Sequence, residues 1–594
     1  MAEFRAPLDD MRFTLTEIAG MEDINALPGF GEATPDLVEA ILEEAGKFGS
    51  DVLAPLNHTG DQEGCALENG IVRTPKGFPE AYQQFAEAGW NGIWAPEEWG
   101  GQNLPMTVAT AVSEIWHAAN LSFALCPMLT QSAIELLLSH GSDEINAQYL
   151  EKLVTGQWTG TMNLTEPQAG SDLARIRTKA EKSGDHYLVR GQKIFISHGE
   201  HDMAENIIHM VLARSPNGPD GIKGLSLFVV PKFLPDENGN PGERNDLRCV
   251  SLEHKMGMHA SPTAVMSFGD DSGAKAFLIG EENRGIEYMF IMMNAARLAV
   301  GMEGVGIAER AYQQARDFAK ERVQSRALDG GPDPVTIIHH PDVRRMLLAM
   351  RSQTEAIRAI AYRVAAASDT AKHHADADAR ARAQAFIDLM TPIAKAYSTD
   401  TAFEVADIGV QVHGGMGYIE ETGAAQHVRD IRVPRIYEGT NGIQANDLVG
   451  RKVARDEGKA AAMLIADIRA TVAELEKADA PIRDLAAPLA EAATALETAT
   501  NWVVETFPTA PAAVAAGATH YLRLMGIVSG AWLLGPGAMR AAEKKATGDG
   551  DPFLDQKIVS ARFFAEQYLP QTASLRTTIM FGGATVAAVS PDAF

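Results

Sequence analysis

One glutamate in the sequence stands between an apolar pair and a run of small, turn-prone residues. Residues 435–444 read RIYEGTNGIQ, so Glu438 follows the apolar pair Ile436-Tyr437 and precedes Gly-Thr-Asn-Gly. Small residues of this kind let a backbone turn tightly. A solvated turn is the usual setting of a single carboxylate beside glycine.

A glycine-rich segment precedes this glutamate. Residues 411–423 read QVHGGMGYIEETG, with glycine at 414, 415 and 417. Glycine lets the backbone approach a ligand closely and leaves its N–H groups unhindered, which suits a pyrophosphate. A turn that ends a helix explains the same residues equally well.

A third segment carries short hydroxyl side chains in a loop. Residues 162–172 read MNLTEPQAGSD and include Thr165, Gly170 and Ser171. Hydroxyl groups and exposed N–H groups in such a loop can bond the edge of a heteroaromatic ring. Taken alone, AGSD is a common turn, and the turn is the favoured interpretation.

The elements that carry these segments change along the chain. Apolar residues recur at helical spacing up to about residue 155, and this part reads as all-helical. Short β-rich runs between Gly, Asn, Pro and Asp fill residues 160–278 and predict a small barrel or sandwich. Helical spacing then returns in a bundle, and an Ala-rich helical tail follows. We predict four domains, at residues 1–158, 159–280, 281–452 and 453–594.

The composition excludes several kinds of partner and setting. A chain of 594 residues exceeds the roughly 250–300 residues that one core supports. A net charge of −26 opposes a nucleic-acid partner, which needs a basic surface. Cys65, Cys126 and Cys249 lie far apart and predict no disulfide framework. Without a signal-peptide pattern or a run of roughly 18 apolar residues, we expect a cytoplasmic protein with no stable membrane insertion.

Two clusters of potential metal ligands lack the spacing of a known metal site. SHGEHD contains His198 and His201, and HHADAD contains His373, His374 and two aspartates. Neither has the spacing of a zincin, so we predict no metal. A Gly-x-Gly-x-x-Gly opening a helix after a strand is also missing from the sequence, which argues against a Rossmann nucleotide site.

Together the three segments resemble the signatures of the acyl-CoA dehydrogenase family. TEPQAGSD at residues 165–172 resembles the first signature, with Gln168 where glycine is usual. QVHGGMGY, the following Arg-Asp at 429–430 and YEGTNGIQ resemble the second signature. The resemblance covers roughly residues 30–450. It implies an α+β, mostly α fold with an N-terminal helical domain, a middle β-barrel and a C-terminal four-helix domain, to which this chain adds a C-terminal helical domain.

The resemblance also implies FAD as cofactor and an acyl-CoA thioester as substrate. Phe195 stands where the family commonly has Trp, a change that keeps a flat apolar wall beside the isoalloxazine. The residues expected to line the flavin and the thioester are Met162, Leu164, Thr165, Gly170, Ser171, Phe195, Ser197 and Thr440.

A second group of residues is expected at the FAD pyrophosphate, across a subunit boundary. Arg322 resembles the family arginine at that position, and Gln411, Gly414 and Gly415 match its glycine-rich loop. A shared cofactor implies an oligomer, with a homodimer expected and a tetramer as the alternative. The family's Arg-x-x-Phe-Gly reads Arg-Val-Gln-Ser-Arg here, so the ring that packs near adenine is missing. Electron-transfer flavoprotein is the expected electron acceptor.

The reaction that the family catalyses explains the glutamate. Removing hydrogen from Cα and Cβ of a thioester needs a base for the α proton and an acceptor for the β hydride. A free glutamate has a pKa of about 4.3, which makes it a weak base until burial raises the pKa and the bound thioester becomes more acidic. The resemblance makes Glu438 that base, with its backbone N–H polarising the thioester carbonyl.

Some relatives place the base on another helix, at the position that Ala296 occupies here. Glu303 lies seven residues further on and shares that helical face, where pairing with Arg297 or packing between helices is the favoured interpretation. Arg297 resembles the family arginine near the CoA-bearing end, although an interhelical ion pair explains it as well. The expected substrate-binding residues are Ser171, Arg297, Tyr437 and Gly439.

The N-terminal extension and the long tail resemble a bacterial subgroup of the family. The sequence leaves open whether the acyl chain is short, medium or long, and an oxidase that passes electrons to oxygen is a further alternative. A noncatalytic scaffold that has kept the fold belongs to another class of function. The intact Glu438 and flavin segments argue against the scaffold.

Overall fold

The computed structural model describes residues 3–548 and 550–594. Its N-terminal part consists of short and medium helices and one hairpin. Asn120 and Ser142 cap the last two helices by accepting hydrogen bonds from the N–H groups of Phe123 and Ile145. The elements are α1 (Leu8–Phe13), α2 (Met21–Asn25), α3 (Pro35–Phe48), α4 (Ala54–Glu63), β1 (Ala66–Glu68), β2 (Ile71–Arg73), α5 (Phe78–Glu87), α6 (Met106–Ala119), α7 (Leu121–His140) and α8 (Asp143–Val154).

The β1–β2 hairpin corrects the expectation of an all-helical N-terminal part. Asn69 and Gly70 join the strands with φ of 51° and 79°, the left-handed pair that a two-residue hairpin turn requires. Asn-Gly between short β-rich runs is itself a hairpin signal, and the helical spacing around it obscured that signal. Val72 of β2 is fully buried with the apolar core of the following strands.

The middle of the chain forms the predicted barrel. Strand β5 pairs with β12, β12 with β7, β7 with β6, and β4 pairs with both β6 and β5, so the pairing closes on itself. The inner face is apolar, with Val189, Phe228 and Met266 fully buried. The strands are β3 (Trp158–Asn163), β4 (Lys179–Ser183), β5 (His186–Ser197), β6 (Asn206–Arg214), β7 (Leu225–Pro231), β8 (Phe233–Pro235), β9 (Pro241–Arg244), β10 (Leu247–Leu252), β11 (Thr263–Phe268) and β12 (Ala274–Ile279).

Long helices follow, and the appended helical tail completes the predicted fold class. Helices α9 and α11 approach closely, because a Cβ added at Gly301 would lie 2.5 Å from the Ala394 oxygen, and one added at Gly304 would lie 2.8 Å from the Ser398 oxygen. The elements are α9 (Gly285–Glu321), β13 (Val323–Arg326), β14 (Pro334–Thr336), α10 (Pro341–His373), α11 (Ala377–His413), α12 (Ala424–Ile431), α13 (Asn441–Asp447), α14 (Lys459–Leu475), α15 (Ala486–Thr506), α16 (Pro511–Ala546), α17 (Pro552–Gln567) and α18 (Gln571–Ala588).

The chain divides into two compact units. One takes in the chain up to Gly46, Pro105–Ala118 and Val300–Phe594, and the other takes in Lys47–Leu104 and Ala119–Ala299. The first unit is therefore mostly helical, and the second contains the barrel together with α4, α5, α7 and α8.

A buried ion network lies in the core of the helical unit. Arg358 of α10 donates two hydrogen bonds to Glu114 Oε1, at 2.9 and 2.6 Å, and one to Glu309 Oε2 at 2.7 Å. Tyr362 donates to the same Glu114 carboxylate. All of these side chains are nearly inaccessible to water, so each charge depends on its partners.

Hydrogen bonds and ion pairs join the N-terminal segment to helices that come much later in the sequence. Gln313 exchanges hydrogen bonds with the backbone of Arg5, accepting at 3.3 Å and donating at 2.8 Å. Asp10 accepts a hydrogen bond from Lys557 of α17, and Glu17 pairs with Lys544 of α16 at 2.6 Å. These contacts all lie within the helical unit.

Three helices of the described residues have the length and apolar composition that could cross a membrane, namely α7, α9 and α16. In this structure 83%, 61% and 83% of their most apolar windows are buried within the protein.

Candidate active site

The turn that carries Glu438 has an unusual backbone. Glu438 and Gly439 have φ of 55° and 83°, so two successive residues lie in the left-handed region. Glycine adopts this conformation readily, whereas for a glutamate it costs on the order of 1–3 kcal/mol and persists only when the surroundings impose it. Thr440 then caps α13, because its hydroxyl accepts from the N–H of Ile443. The predicted tight turn is therefore strained at the glutamate itself.

Side chains from two neighbouring helices hold this turn. Lys395 of α11 donates to the Gly439 oxygen at 2.9 Å and to Asn441 Oδ1 at 2.8 Å. On the other side, the Tyr437 hydroxyl donates to Glu303 Oε2 of α9. Gln444 also donates to the Glu438 oxygen at 3.2 Å. The residues before, at and after Glu438 are each anchored.

The partner of Glu303 differs from the one that the sequence indicated. The sequence interpretation paired Glu303 with Arg297 or made it a packing residue, whereas in the structure Glu303 accepts from Tyr437, and Arg297 donates to Asn294 Oδ1 at 3.0 Å. Residues 303 and 437 are far apart in the chain, and helical spacing cannot reveal such a contact.

The electrostatics of this pair leave Glu303 protonated at neutral pH. Burial is the largest influence and raises the pKa of Glu303 to about 8, with the charge of Glu438 adding to the rise against the opposing Tyr437 hydrogen bond and Lys395 ammonium. Burial and the nearby carboxylates raise the pKa of Tyr437 well above its ordinary value. The hydroxyl therefore remains a donor throughout the physiological range.

The residues expected at the pyrophosphate lie together at one end of the helical bundle. The rings of Phe318 and His413 are 4.4 Å apart and bring the ends of α9 and α11 together. Arg322 follows α9 directly, Gln411 lies in the last turn of α11, and Gly414 ends that helix with a φ of 61°. Arg322, Gln411, Gly414 and Gly415 are all exposed.

This end of the bundle is distant from the Glu438 turn in the same chain. Glu303 precedes Arg322 by 19 residues of α9, which corresponds to roughly 28 Å along a helix axis. Lys395 precedes Gln411 by 16 residues of α11, or roughly 24 Å. The structure thus does not bring the expected pyrophosphate residues to the glutamate within one chain.

In the barrel unit, the loop after β3 is anchored beside the end of β5. Met162 and Leu164 are buried, and the Thr165 oxygen accepts from the N–H of Ile194 at 2.9 Å. Gly170 and Ser171 lie at the exposed tip of this loop. The sequence-predicted residues of TEPQAGSD therefore adjoin those of QKIFIS.

A bulge in β5 turns Phe195 outward. Lys193 pairs with Met266 and Ile196 with Ala264, so two residues of β5 face one residue of β11. Phe195 has a φ of 60° and is 58% exposed, which is uncommon for a large apolar side chain. An accessible flat ring close to the hydroxyl residues Thr165 and Ser197 has the chemistry that a flavin ring requires, so these residues fit the cofactor.

A buried ion pair between Lys193 and Glu166 holds the loop after β3 in place. Lys193 donates to the Leu164 oxygen and to Glu166 Oε1, at 2.8 and 2.9 Å. Glu166 also accepts from the N–H groups of Arg177 and Thr178 and from the Thr178 hydroxyl. Burial opposes the charge of Glu166, but Lys193 and these hydrogen bonds outweigh burial and lower the pKa of Glu166 to about 2.

This pair predicts an acid-sensitive contribution to stability. A carboxylate with a lowered folded-state pKa stabilises the protein above its unfolded pKa of about 4.5 and loses that contribution as the pH falls toward 2. We expect Glu166→Gln to be less stable than wild type by about 3 kcal/mol at pH 6, and the difference to shrink by pH 3. Urea unfolding at each pH measures this difference. Glu181→Gln, at an exposed site on β4, is the control, and a pH-independent deficit for Glu166→Gln would contradict the assignment.

The clusters considered as metal ligands have other partners in the structure. Glu200 pairs with Lys232 and Arg244, and His198 faces the Ser122 oxygen at 3.2 Å. Asp376 caps α11. Over residues 3–548 and 550–594, no three His, Cys, Asp or Glu side chains are grouped so that they could hold a metal ion.

Comparison with known proteins identifies the class to which this fold and site belong. The profiles of the acyl-CoA dehydrogenase N-terminal, middle and C-terminal domains match residues 36–157, 161–270 and 283–453. The profile "Acetyl-CoA dehydrogenase C-terminal like" matches residues 464–590. The chain belongs to the acyl-CoA dehydrogenase family, and it is a flavin-dependent oxidoreductase with FAD as cofactor.

Individual relatives cover nearly the whole chain. The 3-methylmercaptopropionyl-CoA dehydrogenase of Ruegeria pomeroyi is 48% identical over 97% of this chain and 98% of its own. A butyryl-CoA dehydrogenase of Syntrophomonas wolfei is 33% identical over 94% of each chain. Among solved structures, a Bacillus anthracis acyl-CoA dehydrogenase complexed with FAD aligns with a TM-score of 0.75 at 20% identity, over 99% of this chain and 93% of that one.

Proposed function

We propose that the protein oxidises 3-(methylthio)propanoyl-CoA to 3-(methylthio)acryloyl-CoA, with Glu438 as the base. The main support for the role of Glu438 is its left-handed backbone conformation. Side chains anchored in the helix core hold the turn on both sides, and strained residues held in this way are concentrated at functional sites. The likeness to the Ruegeria pomeroyi enzyme supports the substrate. The reaction belongs to the breakdown of dimethylsulfoniopropionate.

The carboxylate and the backbone N–H of Glu438 have separate roles in proton removal. Glu438 removes the α proton, while its backbone N–H polarises the thioester carbonyl and so stabilises the negative charge that develops there. Glu303 is neutral at pH 7, so it adds no negative charge beside Glu438. FAD supplies the acceptor for the β hydride, at N5.

The cofactor and substrate contacts follow the two clusters already described. Met162, Leu164, Thr165, Gly170, Ser171, Phe195, Ser197 and Thr440 would hold the flavin, and Ser171, Arg297, Tyr437 and Gly439 would contact the thioester. Arg322, Gln411, Gly414 and Gly415 would bind the pyrophosphate of FAD in a partner subunit. Their distance from the Glu438 turn along the same helices supports this arrangement.

A shared cofactor site makes the protein a homodimer or a larger assembly of dimers. Electron-transfer flavoprotein is the proposed electron acceptor, and the proposed location is the cytoplasm. Chromatography with light scattering tests the assembly. Reduction of electron-transfer flavoprotein by the thioester-reduced enzyme, without release of peroxide, distinguishes a dehydrogenase from an oxidase.

The substrate proposal predicts a ranking of acyl chains. We expect kcat/KM for 3-(methylthio)propanoyl-CoA to exceed that for butanoyl-CoA by about tenfold, and that for octanoyl-CoA and palmitoyl-CoA by more, because each missing or surplus methylene costs about 1–3 kcal/mol in a fitted pocket. Anaerobic titration of the holoenzyme, followed by bleaching of the flavin absorbance, measures binding and reduction together. A higher kcat/KM for a fatty acyl-CoA would contradict the thioether substrate. The protein would then be a fatty acyl-CoA dehydrogenase, as the name of the butyryl-CoA dehydrogenase relative suggests. A flavin that no thioester bleaches would favour a noncatalytic scaffold.

A further inference from the structure

Glu303 lies where α9 and α11 pack closely. Gly301 and Gly304 on either side of it leave no room for a side chain against the backbone of α11, and Lys395 enters the same region from α11. Glu303 and Lys395 are both completely buried. A carboxyl group and an ammonium group therefore share a closely packed interface behind the Glu438 turn.

The polar atoms of this interface point to the turn. Glu303 Oε2 accepts from the hydroxyl of Tyr437, the residue before the base, and Lys395 donates to Gly439, the residue after it. Glu303 Oε1 makes no hydrogen bond in the part of the chain that the structure describes.

We propose that Glu303 is a positioning residue for the base: by holding the Tyr437 hydroxyl from α9, it fixes, together with Lys395 on α11, the left-handed turn that presents Glu438. The inference rests on the proposed role of Glu438 as base. Glu303 itself touches neither the substrate nor the cofactor in this role, and it acts through Tyr437.

The charges around Glu303 suit that role. The groups that face it are the Tyr437 hydroxyl, the Lys395 ammonium and the Glu438 carboxylate. With Glu303 protonated, the cluster holds one cation and one anion, and Lys395 remains engaged with the turn. An ionised Glu303 would place a buried negative charge beside the Glu438 carboxylate, which like-charge repulsion disfavours.

A double-mutant cycle on the holoenzyme tests the proposal. We expect Glu303→Leu and Tyr437→Phe each to slow flavin reduction by 3-(methylthio)propanoyl-CoA about tenfold. Glu303→Leu should leave Kd nearly unchanged, because a displaced base reacts slowly with a substrate that still binds. The double variant is expected to be no slower than either single variant, since both remove one contact. Glu303→Gln, whose amide oxygen accepts the same hydrogen bond, is expected to recover most of the rate that Glu303→Leu loses. Glu287→Leu, at an exposed site on the same helix, is the control.

A second readout needs no turnover. A carboxyl group whose folded-state pKa is raised makes the folded protein less stable as the pH rises from about 4.5 toward 8. Thermal unfolding of the holoenzyme between pH 5 and pH 8 is therefore expected to show wild type losing stability relative to Glu303→Gln.

The outcomes separate the inference from the proposed function. The inference would be overturned if the double variant lost as much rate as the two single losses multiplied together. It would also be overturned if Glu303→Gln reduced the flavin as slowly as Glu303→Leu. Either result would leave the base assignment in place. A constant difference in stability across this pH range would overturn the neutral, buried state on which the inference depends. A wild-type flavin that the thioester does not reduce would overturn the proposed function and the inference with it.

Discussion

Glu438→Gln is expected to slow flavin reduction by 3-(methylthio)propanoyl-CoA ~10²- to 10⁴-fold, the range that a positioned general base contributes. The amide has nearly the shape of the carboxylate and keeps the backbone N–H of residue 438, so FAD and the thioester should still bind. Lys395, Glu303 and Gln444 anchor the turn through residues 437, 439 and 441 and the backbone of 438. Anaerobic stopped-flow absorbance measures the rate and the binding separately.

A matched control separates chemistry from backbone strain. Glu457 is also a glutamate in the left-handed region, with a φ of 57°, followed by a glycine, but it is exposed and pairs with Lys459. Glu457→Gln should therefore leave the rate of flavin reduction at the wild-type value. Rapid reduction in Glu438→Gln, with bound FAD confirmed by its absorbance, would mean that another group removes the α proton.

Arg358→Met is expected to destabilise the helical unit by about 3–5 kcal/mol, because it leaves the Glu114 and Glu309 carboxylates buried without their cation. Methionine fills much of the volume of the arginine side chain. The loss of stability therefore comes mainly from the unpaired charges and only in small part from a cavity. Burial raises the pKa of Glu114 even beside Arg358, and without the arginine Glu114 should take up a proton more readily. The deficit should therefore be larger at pH 8 than at pH 5.

Urea unfolding followed by helical circular dichroism measures this loss, and an exposed ion pair supplies the comparison. Arg469 and Glu497 form a 2.6 Å pair at the surface, and Arg469→Met should cost no more than about 1 kcal/mol. Equal losses in the two variants would show that the buried network contributes no more than a surface pair.

The order of the elements was predictable because apolar spacing reports which faces are buried, and helices and strands have different periods. The long stripes of α9 and α11 and the short runs that form β5 and β7 are clear in the sequence. The β1–β2 hairpin was missed although Asn69-Gly70 marks its turn, because strands of three residues are too short to show a period.

The site was less predictable, since its anchors join distant parts of the chain. Helical spacing placed Glu303 on an inward face, but only the packing of α9 against α11 brings it to Tyr437, 134 residues away. Similarly, the outward direction of Phe195 depends on the pairing of β5 with β11. One extra residue in β5 at this bulge changes the face of the sheet to which the next side chain points. Motifs identify residues that take part in chemistry, whereas the contacts that hold them depend on the tertiary fold.

The contacts of the N-terminal segment have a consequence for how the chain is made. Asp10 and the lysine that bonds to it are separated by 547 residues. At about 5–20 residues per second, the ribosome needs on the order of half a minute to two minutes between the two. Throughout that time Asp10 and Glu17 lack these two lysines, and their contacts with α17 and α16 form only when the last helices emerge. Biosynthesis of this unit therefore ends by joining its first residues to some of its last.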